Sequence, residues 1–225
     1  MSIQQNRESY PVIVIEGLDG VGKSTLTRKL TEAIGGVLLG TPPVFELEVL
    51  GFARKHFDDQ PAVVRRAFYR FDNVVVSEQA RALRVDRPVV IDRYWPSTVA
   101  FAVGNGESVE VTQWLGRYPD ELLKPDLLIL LTADERARLA RHQGRGTDAT
   151  VEEQRLERQK PIREKIVEVY LTFEPVVVDT SELAWQGPHL GVGPCRCEMA
   201  ETHLGVGSCR CWMAETHLGG GFLPL

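Results

Sequence analysis

The densest chemical signal in the chain is Gly17-Leu18-Asp19-Gly20-Val21-Gly22-Lys23-Ser24. It follows the apolar run Val12-Ile13-Val14-Ile15 and opens into Thr25-Leu26-Thr27-Arg28-Lys29-Leu30. A strand, a G-x-x-x-x-G-K-S loop and a helix in that order form a phosphate cradle. Backbone N–H groups curl around an anion only where no Cβ stands in the way, so Gly17, Gly20 and Gly22 are turn requirements. The following helix points its unpaired N–H groups and the positive end of its dipole at the same anion. Lys23 brings a point charge to the β- and γ-phosphates, the Ser24 hydroxyl suits Mg²⁺, and Asp19 and Thr25 complete the loop. The chemistry implied is binding of a nucleoside triphosphate.

A second constellation ends another apolar run, in Val89-Val90-Ile91-Asp92-Arg93-Tyr94. Asp92 at a strand end is placed to hold Mg²⁺ opposite the phosphate loop. Arg93 offers a guanidinium fork that matches the phosphate oxygens of an acceptor. A third is basic: Arg136, Arg138, Arg141 and Arg145, with Gly144 and Gly146 around the last. A positive, glycine-hinged segment reads as a lid that closes over transferring phosphates, with Arg141 and Arg145 neutralising charge there and Arg136 and Arg138 on the surface. A fourth lies in Arg65-Arg66-Ala67-Phe68-Tyr69-Arg70, where an aromatic ring can stack on a base.

These residues need a scaffold that brings loops together. Short β-branched or leucine-rich runs at Val12–Ile15, Val37–Leu39, Pro88–Ile91, Asp126–Leu131 and Pro175–Val178 show little alternation, as in parallel strands buried on both faces. Between them the pattern predicts helices over Lys23–Ile34, Glu46–Phe57, Ala62–Leu83, Ser97–Val103, Ala133–His142 and Val151–Phe173, with Pro161 starting or kinking the last. Strand and helix in alternation predict an α/β fold: a doubly wound, five-stranded parallel sheet flanked by helices, with a short lid. Ligands then sit beyond the carboxyl ends of the strands, which gathers Gly17–Ser24, Asp92-Arg93 and the segment after Leu131 around one crevice.

The chain has 225 residues, 43% hydrophobic and 25% charged, with a net charge of −5. Length and composition fit one globular domain with a sizeable core. The negative charge argues against nucleic acid as partner, and no apolar run approaches the ~20 residues of a membrane span. The first ten residues contain no apolar stretch, so no leader is expected and a cytoplasmic location is. The catalytic domain is expected over 10–181. Beyond it, over 187–225, His189, His203 and His217 head near-identical copies at intervals of fourteen residues. All four cysteines lie there, in two Cys-x-Cys pairs whose spacing is not the usual zinc knuckle, and the tail reads as disordered.

Taken together these segments resemble the thymidylate kinase family of nucleoside monophosphate kinases. The likeness runs from about residue 10 to 181 through Glu16-Gly-Leu-Asp-Gly-Val-Gly-Lys-Ser-Thr25, Asp92-Arg93-Tyr94 with Ser97, Lys124-Pro125-Asp126 and Gln143-Gly-Arg-Gly146. Leu39-Gly-Thr-Pro-Pro43, Arg65-Arg-Ala-Phe-Tyr69 and Asp92-Arg-Tyr-Trp95 resemble its mitochondrial UMP/CMP kinase branch, which also makes a mitochondrial location an expectation. The resemblance implies a P-loop NTPase fold, ATP and Mg²⁺ as cofactors, small nucleotides as partners, and dimers among relatives. It implies that Asp19 contacts the acceptor ribose, Phe68 stacks on its base, Arg93 binds its phosphate and Ser97 lies in the same substrate site. Asp92 and Ser24 organise the metal, while Lys23, Arg141 and Arg145 serve transfer. The expected reaction is ATP-dependent phosphorylation of a pyrimidine nucleoside monophosphate (UMP, CMP or their deoxy forms); dTMP kinase, deoxynucleoside kinase and non-catalytic nucleotide binder are the alternatives. Two departures favour the first. Thr41-Pro42-Pro43 stands where thymidylate kinases carry Arg-Glu-Pro-Gly-Gly, and Asp72-Asn73 stands where an arginine follows the stacking phenylalanine.

Overall fold

The computed structural model describes residues 9–41, 56–57, 60–106, 112–143, 156, 158–182, 196–200 and 208–212. Five strands, β1 (Val12–Gly17), β2 (Val37–Gly40), β3 (Val89–Asp92), β4 (Leu127–Thr132) and β5 (Val176–Asp179), pair in parallel in the order β2-β3-β1-β4-β5. The helices are α1 (Lys23–Ala33), α2 (Ala62–Leu83), α3 (Trp95–Gly104), α4 (Glu135–Gln143) and α5 (Lys160–Leu171). Pro161 stands in the first turn of α5, where a missing N–H costs nothing. Of the helix expected over 46–57, only His56 and Phe57 lie among the described residues, and both are helical.

Both faces of the sheet are covered, as the apolar runs require. Val12, Val14, Val89, Ile91 and Leu130 pack with Val76, Val99, Ile166 and Tyr170 from α2, α3 and α5. Ile15, Val90 and Leu131 pack on the other face with Leu26 and Leu30 of α1. Truncating Leu130, which is fully buried, to alanine costs about 2–5 kcal/mol by the usual cavity penalty. Asp126 sets the start of β1: its Oδ2 accepts from the Val12 N–H at 2.8 Å and from Arg84 Nη2 at 3.0 Å.

The sheet goes further than the five strands that the sequence pattern predicts. Two segments of the repeat tail, β6 (Arg196–Ala200) and β7 (Ser208–Trp212), are strands where no regular structure was expected. β7 runs parallel to β5 and β6 antiparallel to β7. The outer side of β5 offers unpaired N–H and C=O groups, and an extended segment that takes them up is stabilised whatever its composition.

The register decides the site. Ile15 of β1 lies opposite Asp92 of β3. The phosphate loop that leaves β1 and the Asp92-Arg93 turn that leaves β3 therefore emerge side by side, at the carboxyl edge of adjacent strands.

Candidate active site

The phosphate loop is shaped by close backbone approach. A Cβ on Gly17 (φ +145°) would lie 2.6 Å from the carbonyl oxygen of Leu131, and one on Gly20 (φ +88°) 2.6 Å from that of Arg138. Gly22, also left-handed at φ +97°, has nothing within 4 Å of a Cβ position, so the cradle is open on that side. Lys23 is buried and folded onto its own loop, with Nζ donating to Leu18 O at 2.8 Å and to Asp19 Oδ1 at 3.4 Å. Burial, and then the charge of Arg93, push its pKa down to about 8. Ser24 and Thr25 open α1 and are exposed. Hard oxygen donors at Ser24 and at half-buried Asp92 are the chemistry Mg²⁺ takes, so the residues present fit that ion.

Arg93 is the centre of the second constellation. Its φ of +64° is unusual for a side chain with a Cβ, a strain of order 1–3 kcal/mol that surrounding contacts must hold. Its N–H donates to Ile15 O at 3.1 Å and its carbonyl accepts from Thr41 Oγ1 at 3.0 Å, which ties the turn to β1 and to the end of β2. Nη2 reaches Asp19 Oδ1 at 2.6 Å; Nη1 donates to Ser97 Oγ and Tyr170 Oη, each at 3.3 Å. The guanidinium carbon lies 5.3 Å from the Phe101 ring centroid. Burial disfavours its charge, but Asp19, Tyr170, Glu16 and Asp92 outweigh that and hold it cationic. The phosphate loop and the Arg93 turn thus share one carboxylate, Asp19.

Several expected residues stand differently from their sequence reading. Ser97 lies behind Arg93, 9% exposed, with its hydroxyl donating to Glu16 Oε2 at 2.6 Å. Phe68 is buried on the inner side of α2, and Phe57 stacks on it at 4.6 Å and 14°. A base stacking on that face must displace Phe57. Arg141 is held at the end of β5: Nη1 donates to Thr180 Oγ1 at 2.9 Å and Nη2 to Thr180 O, just past the strand. Arg145 and the glycines around it lie outside the described residues. Arg136 is exposed as expected, but Arg138 is not. Only 2% exposed, Arg138 donates to Asp19 O at 3.3 Å and, through Nε and Nη2, to Glu135 at 3.1 Å. Glu135 also pairs with Arg163 of α5 at 2.5 Å. Arg138 is buried because α4 packs directly against the phosphate loop at Gly20, which the charge pattern of the helix does not reveal.

Glu16, Tyr170 and Thr180 were not among the residues singled out for chemistry. Glu16 is fully buried at the end of a strand, and burial pushes its pKa up to about 7 against the hydrogen bonds of Ser97 and the charge of Arg93. The available signal was an acid inside an apolar strand, since a buried carboxylate must have partners. Thr180 Oγ1 lies 2.9 Å from both Val21 O and Thr132 O, linking the phosphate loop to the strand ends. Among the described residues no three His, Cys, Asp or Glu side chains group as a metal site, and no helix is long and apolar enough to cross a membrane.

The chain is 38% identical over 181 residues to the UMP-CMP kinase 2, mitochondrial, of Homo sapiens, a match covering 76% of this chain and 38% of that one. It is 32% identical over 146 residues to the thymidylate kinase of Xanthomonas oryzae pv. oryzae, covering 60% and 61% respectively. Solved structures of the thymidylate kinase from Candida albicans and the deoxyadenosine kinase from M. mycoides with bound dATP superpose with TM-scores of 0.58 and 0.52, each at 18% identity. They cover 77% and 73% of this chain, and 85% and 83% of their own, and share its P-loop NTPase fold. The thymidylate kinase family model matches residues 15–184, the span that holds the phosphate loop, the Arg93 turn and α4, and the chain belongs to that family.

Proposed function

We propose that this chain transfers the γ-phosphoryl group of Mg·ATP to the 5′-phosphate of a pyrimidine nucleoside monophosphate. The observation that carries the reading is the cationic clamp at Arg93, tied through Asp19 to a loop built for a triphosphate. A bound acceptor phosphate is already nucleophilic, so no strong general base is required. The residues align donor and acceptor and neutralise the charge that spreads over the transferring group. Lys23 leaves Leu18 O and Asp19 for the β- and γ-phosphates. Arg93 turns its remaining N–H groups to the acceptor phosphate. Ser24 and Asp92 would hold Mg²⁺, which supplies further charge neutralisation when bound. Arg141, released from Thr180, serves transfer together with Arg145, and Phe68 stacks on the acceptor base once Phe57 has moved.

Thr41 and Asp72-Asn73, where an acceptor-reading arginine would otherwise stand, favour UMP, CMP, dUMP and dCMP. The likeness to the human UMP-CMP kinase 2 points the same way, although the chain spans only 38% of that protein. A dTMP kinase is the second reading, favoured by the relatives named thymidylate kinase. ADP formation from Mg·ATP separates them, measured with CMP, UMP, dCMP, dUMP, dTMP and deoxycytidine against Lys23→Ala as blank. Turnover of the first four above dTMP is expected. A preference for dTMP selects the second reading, and turnover of deoxycytidine alone overturns both.

A further inference from the structure

The phosphate chemistry above makes no direct use of Glu16, yet its carboxylate is hydrogen-bonded to the start of α3. Oε1 accepts from the Tyr94 N–H at 2.8 Å and the Ser97 N–H at 3.2 Å, and Oε2 from the Ser97 hydroxyl. Tyr94 is the N-cap residue of α3 and makes no side-chain cap bond. Its N–H and that of Ser97, three residues on, are the two donors that a capping box satisfies reciprocally from within a helix. Here one carboxylate from the neighbouring strand satisfies both. The same grip holds the residue that directly follows Arg93 and its left-handed turn.

When Glu16 is ionised, the directions of the other hydrogen bonds follow. Ser97 has one hydroxyl proton, and it goes to Glu16. Its two lone pairs are left for Tyr170 Oη at 2.8 Å and Arg93 Nη1. Tyr170 therefore donates to Ser97 and keeps its own lone pair for Nη1. An ionised Glu16 makes both oxygens acceptors toward Arg93. A protonated Glu16 donates to Ser97 instead, turns the Ser97 proton to Tyr170, and takes an acceptor from Nη1.

We propose that Glu16 is a positioning residue for the acceptor phosphate, setting through Ser97 and Tyr170 the face that Arg93 presents to it. This rests on the reading of Arg93 as the acceptor clamp. The charged and titratable groups around Glu16 are Arg93 from the β3 turn, Tyr170 from α5 and Tyr118 from the segment before β4, with Asp19, Lys23 and Asp92 gathered about Arg93. With its carboxyl pushed up to about 7, both states of the chain are populated near neutral pH.

Glu16→Gln keeps the shape and fixes the protonated pattern, because its amide nitrogen donates where Oε2 accepts. Removing one charged hydrogen-bond acceptor predicts an acceptor KM about tenfold higher at pH 8, with the KM for ATP within about twofold. In the wild-type protein the acceptor KM falls as pH rises through about 7, beyond the change from the acceptor phosphate itself, which both proteins share; in Glu16→Gln that extra fall is absent. Ser97→Ala raises the same KM, and the double variant is no worse than the more severe single one. Equal effects on kcat and both KM values with the pH profile unchanged, or additive single variants, overturn the proposal. A substrate-free arm uses ¹⁵N-arginine NMR. The guanidinium signal lost in Arg93→Lys titrates near pH 7 in the wild type and does not in Glu16→Gln. If no monophosphate is turned over, the kinase reading fails while this signal still decides the role of Glu16; a signal that titrates alike in both proteins overturns that role.

Discussion

Arg93 and Arg141 are both arginines at the carboxyl edge of the sheet, and they are held in opposite ways. Arg93 is gripped from the phosphate loop by Asp19 and from two helices by Ser97 and Tyr170. Arg141 is bound to Thr180, just past β5. On the function proposed above, the first arrangement leaves a cation already placed where an acceptor phosphate would arrive. On the same reading, the bonds of the second must be given up before its guanidinium can serve transfer. Under that proposal acceptor binding is preorganised, while the transfer side depends on movement of α4.

The largest expected effect falls on the group both halves need. Lys23→Ala lowers kcat by about a thousandfold, because one preorganised cation is lost from a dry site. Steady-state ADP release measures it, and retention of a tenth of the activity would remove Lys23 from the site. Next comes the contrast itself. Arg93→Lys keeps the charge but loses the fork, so kcat/KM for the acceptor falls about a hundredfold, mostly through KM. Arg141→Lys lowers kcat about tenfold and leaves the acceptor KM within about twofold. The same KM effect from both variants would dissolve the distinction.

Lys23 also gives a pH test. Burial brings its pKa from an ordinary 10.5 down to about 8, so between those values the unfolded chain binds more protons than the folded one. The Lys23 contribution to stability therefore rises with pH across that window, as the cost of a buried ammonium disappears. The kcat/KM for ATP falls across it, because the cation is lost. Thermal unfolding and kinetics, each read as the difference from Lys23→Met, should move in opposite directions.

The smallest effect is expected at Phe57. Its ring covers Phe68, so Phe57→Ala spares the base the work of displacing it and lowers the acceptor KM about threefold, within the ~0.5–1.5 kcal/mol of an aromatic pair. A raised KM would instead place Phe57 among the groups that hold the base.

Much of this could be read from the chain before its fold was known. The five parallel strands, α2 to the residue, and the juxtaposition of Gly17–Ser24 with Asp92-Arg93 follow from local pattern. A strand buried on both faces needs an unbroken apolar run, and a phosphate loop needs its glycines and lysine within eight residues. What escaped were residues whose meaning depends on distant partners. Ser97 reads as a substrate contact until Glu16, 81 residues away, claims its hydroxyl. Arg138 reads as one more cation on a helix surface until Asp19, 119 positions away, accepts from it. The strands in the repeat tail escaped because they depend on the open edge of β5, not on their own composition.

The sequence by itself determined the chemistry this protein is equipped for: a phosphate cradle, an acid and an arginine at a strand end, and a fold that sets them side by side. Those signals are local, since backbone conformation and strand burial act over a few residues. Only the tertiary structure decided which partners hold each of its cations. That follows from hydrogen bonds between Glu16, Ser97, Tyr170 and Arg93, and between Thr180 and Arg141. Such bonds form only when separate strand ends and helices are packed within about 3 Å of one another, and no short stretch of sequence encodes that distance.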